Sequence, residues 1–145
     1  MKGGYDIKKI LNVYANSFWR VIDLDLEFWE SLSVTPEAHE LMEYVEENFD
    51  EVFFLSSPSM SPNCYFGKCQ WIIDNFPKYR TKIILTNDKH LLAGKNRLLI
   101  DDNDDNCKKF KAAGGKVVLF PRPWNSKHNL SDHALYNVKQ LIRLS

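Results

Sequence analysis

The sequence is 145 residues long, enough for one domain with a full hydrophobic core and too short for a second of ordinary size. Lysine plus arginine and aspartate plus glutamate both number 19, so the formal charge is zero and no basic field points to nucleic acid; the longest charged run, Asp101–Asp105, is acidic. Apolar runs such as Val52–Leu55 and Leu98–Ile100 are far too short to span a bilayer, and the N-terminus lacks the apolar core of a signal peptide, which leads to an expectation of a cytoplasmic protein.

In chain order, residues 6–48 read as helices. Tyr5–Val13 is a short amphipathic piece, and Asn16 or Ser17 can cap a turn carrying Phe18, Trp19, Val21 and Ile22. Leu24–Leu32 is a second helical piece. Thr35-Pro36-Glu37 predicts a helix start, with a capping hydroxyl, proline at the first helical position and an acid in the first turn. Ala38, Leu41, Met42, Val45 and Phe49 then keep helical spacing. After residue 50 the pattern changes to brief apolar runs at Val52–Leu55, Lys82–Leu85, Arg97–Ile100 and Lys116–Phe120, which read as strands buried on both faces. Helices are expected between and after them at Asn63–Phe76, Asn103–Ala113 and Ser131–Leu144, with Ser131 as cap and Gly114-Gly115 stopping the second. Alternation of this kind predicts an α/β fold, a parallel sheet flanked by helices, with its chemistry at the carboxyl ends of the strands. Cys64, Cys69 and Cys107 form no Cys-x-x-Cys pair and read as free thiols of a reducing compartment.

Polar residues interrupt the pattern at those ends. The first strand runs into Ser56-Ser57-Pro58, the second into Thr86-Asn87-Asp88-Lys89, the third into Asp101-Asp102 and the fourth into Pro121-Arg122-Pro123-Trp124. Hydroxyl and ammonium donors suit phosphate oxygens, and a carboxylate pair suits Mg²⁺, so the set describes a phosphoryl-transfer site. The run Asp101–Asn106 lacks the glycine and terminal glutamate of a calcium loop, and His39, His90, His128 and His133 have no ligand-like spacing.

Val52-Phe53-Phe54-Leu55-Ser56-Ser57-Pro58, Ile84-Leu85-Thr86-Asn87-Asp88-Lys89 and Leu98-Leu99-Ile100-Asp101-Asp102 resemble motifs II, III and IV of the haloacid dehalogenase (HAD) superfamily. Order and spacing are most similar to the 5'(3')-deoxyribonucleotidase family in its bacterial and phage branch. Phe28-Trp29-Glu30-Ser31-Leu32, Ala112-Ala113-Gly114-Gly115 and Phe120-Pro121-Arg122-Pro123-Trp124-Asn125 add to the likeness. The resemblance implies a Rossmann-like HAD domain over 1–145, with a small helical cap segment at about 5–34 and a core at about 35–145. It implies Mg²⁺-dependent hydrolysis of nucleoside monophosphates. Ser56 would hold the transferring phosphoryl group, Ser57 and Lys68 would add phosphate contacts, and Lys89 would neutralise charge. Asp102 would bind Mg²⁺, Asp101 would hold the lysine or a metal-bound water, and Trp19 would pack on the nucleobase. Trp29 reads as cap-to-core packing.

The family's first strand ends in Asp-x-Asp-Gly-Val, whose first aspartate attacks phosphorus. This sequence has no such motif: Asp23-Leu24-Asp25 follows a helical segment and lacks the Gly-Val. Without an attacking carboxylate the covalent route has no first step. The resemblance therefore implies an N-terminally incomplete or split nucleotidase, inactive alone, whose central strand is missing. Two strand pairs would then flank a gap, to be filled by a complementing N-terminal chain, by self-association or by closure of the two halves. The rival is a non-catalytic relative that binds a nucleotide or a partner chain.

Overall fold

The computed structural model describes residues 25–145, so the expected helical pieces at Tyr5–Val13 and around Phe18–Ile22 lie outside the described residues. The described chain divides into two compact units, 25–87 and 88–145. Each is built around one β-α-β crossover, the connection that parallel strands need.

In the first unit, α1 (Leu26–Glu30) starts at Asp25, whose side chain accepts a hydrogen bond from the Phe28 amide. Helix α2 (Ala38–Asn48) starts later than the Thr35 signal predicts. Pro36 and Glu37 form a turn closed by the Ala38 amide on the Thr35 carbonyl, and Glu37 occupies the cap without a side-chain bond. Strand β1 (Phe54–Ser56) pairs in parallel with β2 (Ile83–Leu85), Ser56 opposite Leu85. Helix α3 (Pro62–Asn75) makes the crossover, with Ser61 as N-cap and Pro62 in its first turn. The core here is Ile72, Phe76 and Tyr79, packed against Ala38 and Met42 of α2 and against Phe54 and Ile83 of the sheet. Ala38 and Met42 belong to the helical face read from Ala38, Leu41, Met42, Val45 and Phe49. The segment after α1 is tied to α3 by the Trp71 indole, which donates to the Leu32 carbonyl at 2.5 Å.

In the second unit, β3 (Leu98–Asp101) pairs in parallel with β4 (Lys116–Leu119), Asp101 opposite Leu119. Helix α4 (Asp104–Ala112) is capped by Asn103 and carries acids in its first turn and lysines in its last, the arrangement that complements the helix dipole. It ends on two glycines for two different reasons. Gly114 has φ +91°, and its amide bonds the Lys111 carbonyl while the Gly115 amide bonds that of Phe110, a Schellman ending. Gly115 lies so close to the Phe110 ring that a Cβ there would stand 2.2 Å from Cε1. The last helix, α5 (Ala134–Arg143), buries Ala134, Val138 and Ile142 along one stripe. Ser131 does not cap it. His128–His133 form a 3-10 turn in which the Ser131 hydroxyl donates back to the His128 carbonyl, so the helix begins three residues later than expected.

The four strands form two separate two-stranded parallel sheets among the described residues. Burial on both faces is not observed. All of β1 and β2 is half-buried, and β3 alternates, with Leu99 and Asp101 buried between half-buried Leu98 and Ile100. Phe54 and Ile83 pack against the core of Ile72, Phe76 and Tyr79 and are still only half-buried.

Candidate functional site

The strand ladders continue one bond past each carboxyl end. The Thr86 amide reaches the Ser56 carbonyl at 3.0 Å, and the Phe120 amide reaches the Asp101 carbonyl at 2.8 Å. Ser56 and Asp101 thus stand at fixed positions where β1 and β3 stop.

In the first unit, the Lys68 ammonium on α3 donates to the Ser56 hydroxyl at 3.0 Å. The same ammonium lies 5.0 Å from the centre of the Trp29 ring, within reach of a cation–π attraction. Trp29 also packs edge-on against Phe28, and its buried indole N–H has no hydrogen-bond partner among the described residues. Ser57 is half-buried, and its hydroxyl has no hydrogen-bond partner among the described residues. The next residue, Pro58, is buried and its carbonyl accepts from the Asn87 side chain at 3.1 Å.

In the second unit, Lys89 is buried in a 3-10 turn and its ammonium lies 2.5 Å from Asp101 Oδ2, with both side chains under a tenth exposed. Asp101 is held by more than the lysine. Its Oδ1 accepts from the Asn103 amide at 2.9 Å, and the Asn106 side-chain amide lies 3.3 Å from both carboxylate oxygens. The thiol of Cys107 donates weakly to the Asp101 carbonyl at 3.8 Å; burial, then the negative charge of Asp101, pushes that thiol's pKa up to about 12. Asp102 points elsewhere: its Oδ2 accepts from the Trp124 indole N–H at 3.1 Å, and its backbone carbonyl accepts from the Asn125 side chain at 2.9 Å. Asp104 bonds the amide and hydroxyl of Ser126, and Asp105 pairs with Lys109. The acidic run therefore disperses to separate partners, and among the described residues no three His, Cys, Asp or Glu side chains converge as a metal set.

The family model for 5' nucleotidase, deoxy (pyrimidine), cytosolic type C proteins (NT5C) matches residues 4–144, nearly the whole chain. The chain belongs to the NT5C family. No curated protein matches it.

For an NT5C chain, the resemblance drawn from the three motifs was right about the family. Of the residues singled out in the sequence, the structure joins Ser56 to Lys68 and Lys89 to Asp101, and it turns Asp102 towards Trp124. Trp19 lies outside the described residues. Asp25 is exposed and caps a helix, so the second carboxylate of Asp23-Leu24-Asp25 serves local structure. Sequence reasoning gave no role to Asn106, Trp124 or Asn125. Asn106 could have been suspected, because it follows the cap Asn103 by one helical turn; the other two carried no signal of their partner. No helix among the described residues is long and apolar enough to cross a membrane.

Proposed function

We propose that this NT5C chain supplies the phosphate-binding and charge-neutralising side chains of a cytoplasmic, Mg²⁺-dependent nucleotidase that hydrolyses nucleoside monophosphates. The observation that carries the reading is the Lys89 ammonium, buried and paired at 2.5 Å with Asp101, with Asp102 next along the chain. A buried lysine fixed by a carboxylate keeps its positive charge aimed where phosphoryl oxygens gain negative charge, which is the largest single source of help in such reactions. Ser56, with Lys68 on its hydroxyl, and Ser57 offer further donors for phosphate oxygens. Trp19 is assigned to the nucleobase.

Asp102 fits a magnesium ligand better than Asp101 does. Both oxygens of Asp101 are engaged by Lys89, Asn103 and Asn106, whereas Asp102 Oδ1 accepts no hydrogen bond among the described residues. Mg²⁺ takes one or two carboxylates and keeps waters, so one open carboxylate is a sufficient protein corner. The ion, when bound, would supply positive charge to the phosphoryl oxygens.

The attacking carboxylate is the part these residues do not supply. It is assigned to a segment ending in Asp-x-Asp-Gly-Val, carried either ahead of these residues in a longer chain or by a complementing polypeptide. In support, β1 pairs only with β2 and β3 only with β4 among the described residues, and an edge without a strand partner is where an added strand can pair. Self-association through those edges is the alternative way to cover them, and sedimentation of the pure chain against concentration reports it. The decisive assay is phosphate release from deoxynucleoside monophosphates with Mg²⁺, by the chain alone and mixed with a peptide of that motif. Turnover is expected only with the peptide and is lost in Lys89→Met. A folded, peptide-bound chain that releases no phosphate defeats the enzyme reading.

That outcome would favour a second reading, a non-catalytic nucleotide binder. It is motivated by the sequence itself, in which no Asp-x-Asp-Gly-Val motif supplies an attacking group. Calorimetric binding of a nucleoside monophosphate without turnover would establish it.

A further inference from the structure

The segment Pro121–Lys127 returns to the loop that follows β3, and it does so through three consecutive side chains. The Trp124 indole N–H donates to Asp102 Oδ2 at 3.1 Å. The Asn125 side-chain amide donates to the Asp102 carbonyl at 2.9 Å and to the Phe120 carbonyl at 2.8 Å, while its oxygen accepts from the Arg122 amide at 3.3 Å and the Lys127 amide at 3.0 Å. Asn125 is 1% exposed and all its hydrogen-bonding capacity inside the fold is used. Ser126 holds Asp104 with both its amide and its hydroxyl.

A buried asparagine with four backbone partners is a rigid post. Trp124 stands directly before it, 43% exposed, with only its N–H committed to the carboxylate. An indole N–H can only donate, so it engages one oxygen of Asp102, Oδ2, while the other, Oδ1, accepts no hydrogen bond among the described residues. Partners of this kind set the orientation of a metal-binding carboxylate, and their loss typically weakens metal affinity by about tenfold or more.

We propose that Trp124, anchored by Asn125, is a positioning residue that presents Asp102 Oδ1 to a divalent cation. The inference rests on the assignment of Asp102 as the metal carboxylate made above. Its test uses the whole chain and Mn²⁺ as the probe, with bound ion counted from the loss of the free Mn²⁺ spin-resonance signal, which needs neither turnover nor a tryptophan. Trp124→Phe keeps the ring and removes the N–H; it should raise the Mn²⁺ dissociation constant by about tenfold and leave the melting temperature nearly unchanged. In the unaltered chain, Mn²⁺ should quench tryptophan emission, and most of that quenching should vanish in Trp124→Phe. Asp102→Asn should abolish binding. Unchanged Mn²⁺ affinity in Trp124→Phe, with binding still lost in Asp102→Asn, overturns the positioning role and leaves Asp102 as ligand. Binding that survives Asp102→Asn, or no binding by the unaltered chain, overturns the ligand assignment itself and the inference with it.

Discussion

The Lys89–Asp101 pair allows a quantitative test of how the end of β3 is held. Both side chains are under a tenth exposed and 2.5 Å apart, so neither charge can be rescued by water when its partner is removed. Removing one member of such a pair costs about 3–5 kcal/mol. The surroundings decide where in that range each variant falls. In Lys89→Met, Asp101 keeps the Asn103 amide and the Asn106 side chain, so the loss should sit near the lower end, ~3 kcal/mol. In Asp101→Ala, the Lys89 ammonium keeps no partner among the described residues, and the loss should approach ~5 kcal/mol. The double variant should be less damaging than the sum, with a coupling of at least about 2 kcal/mol, since it leaves no orphaned charge. Urea unfolding measures this directly. With a slope of roughly 2 kcal/mol per molar, Lys89→Met lowers the midpoint by about 1.5 M. The exposed Lys109–Asp105 pair is the control and should show no measurable change on Lys109→Ala. If Lys89→Met behaves like that control, the pair is not buried in solution and the argument from its desolvation is wrong.

Three further perturbations test other parts of the structure. Gly115→Ala forces a methyl against the Phe110 ring and should cost roughly 1–3 kcal/mol, while Gly114→Ala meets only the strain of φ +91° and should cost about 1 kcal/mol; thermal melts that rank them the other way refute the contact. Asn125→Ala leaves the Asp102 and Phe120 carbonyls without their donor and should destabilise by about 1–3 kcal/mol for each carbonyl left buried and unpaired, readable by the same melts. The Cys107 thiol is raised from 9.0 to about 12 in the folded chain, so the folded state holds its proton where the unfolded chain loses it. Stability is therefore intact below pH 9 and falls as pH rises from 9 towards 12, by up to about 1.4 kcal/mol per pH unit. The measurement is urea unfolding across that range: Cys107→Ala should flatten the decline, and an equal slope with and without the thiol rejects the shift.

Much of the fold was legible because its signals are local. Each of the four apolar runs produced a strand within two residues of its predicted start, and Asn103 and Gly114-Gly115 bounded α4 as cap and stop residues do. Starts that depended on a competing turn were misjudged. Thr35 and Ser131 both look like caps, yet Pro36-Glu37 forms a turn before α2, and the Ser131 hydroxyl is spent on the His128 carbonyl inside a 3-10 turn. Burial was misjudged for a different reason. A β-branched run announces a strand, but whether both faces are covered depends on the neighbours it acquires, and β1 and β2 stay half-buried although Phe54 and Ile83 pack on the core.

The site divides along the same line. Ser56, Lys89, Asp101 and Asp102 could be singled out because polar residues directly after apolar strands mark carboxyl ends, where such folds place chemistry. What the sequence cannot display is the set of groups that orient them. Trp124 and Asn125 are 22 and 23 residues from Asp102, and nothing in Pro121-Arg122-Pro123-Trp124-Asn125 names a distant carboxylate as partner. Asn106 is only five residues from Asp101, yet its reach depends on the first turn of α4 lifting the amide back to the strand end. Residues that carry charge are recognised by type, whereas residues that aim the charge are recognised only by where the fold puts them. For this chain the second group distinguishes the neighbouring acids: Asn103, Asn106 and Lys89 hold Asp101, whereas Trp124 takes one oxygen of Asp102 and the other accepts no hydrogen bond among the described residues.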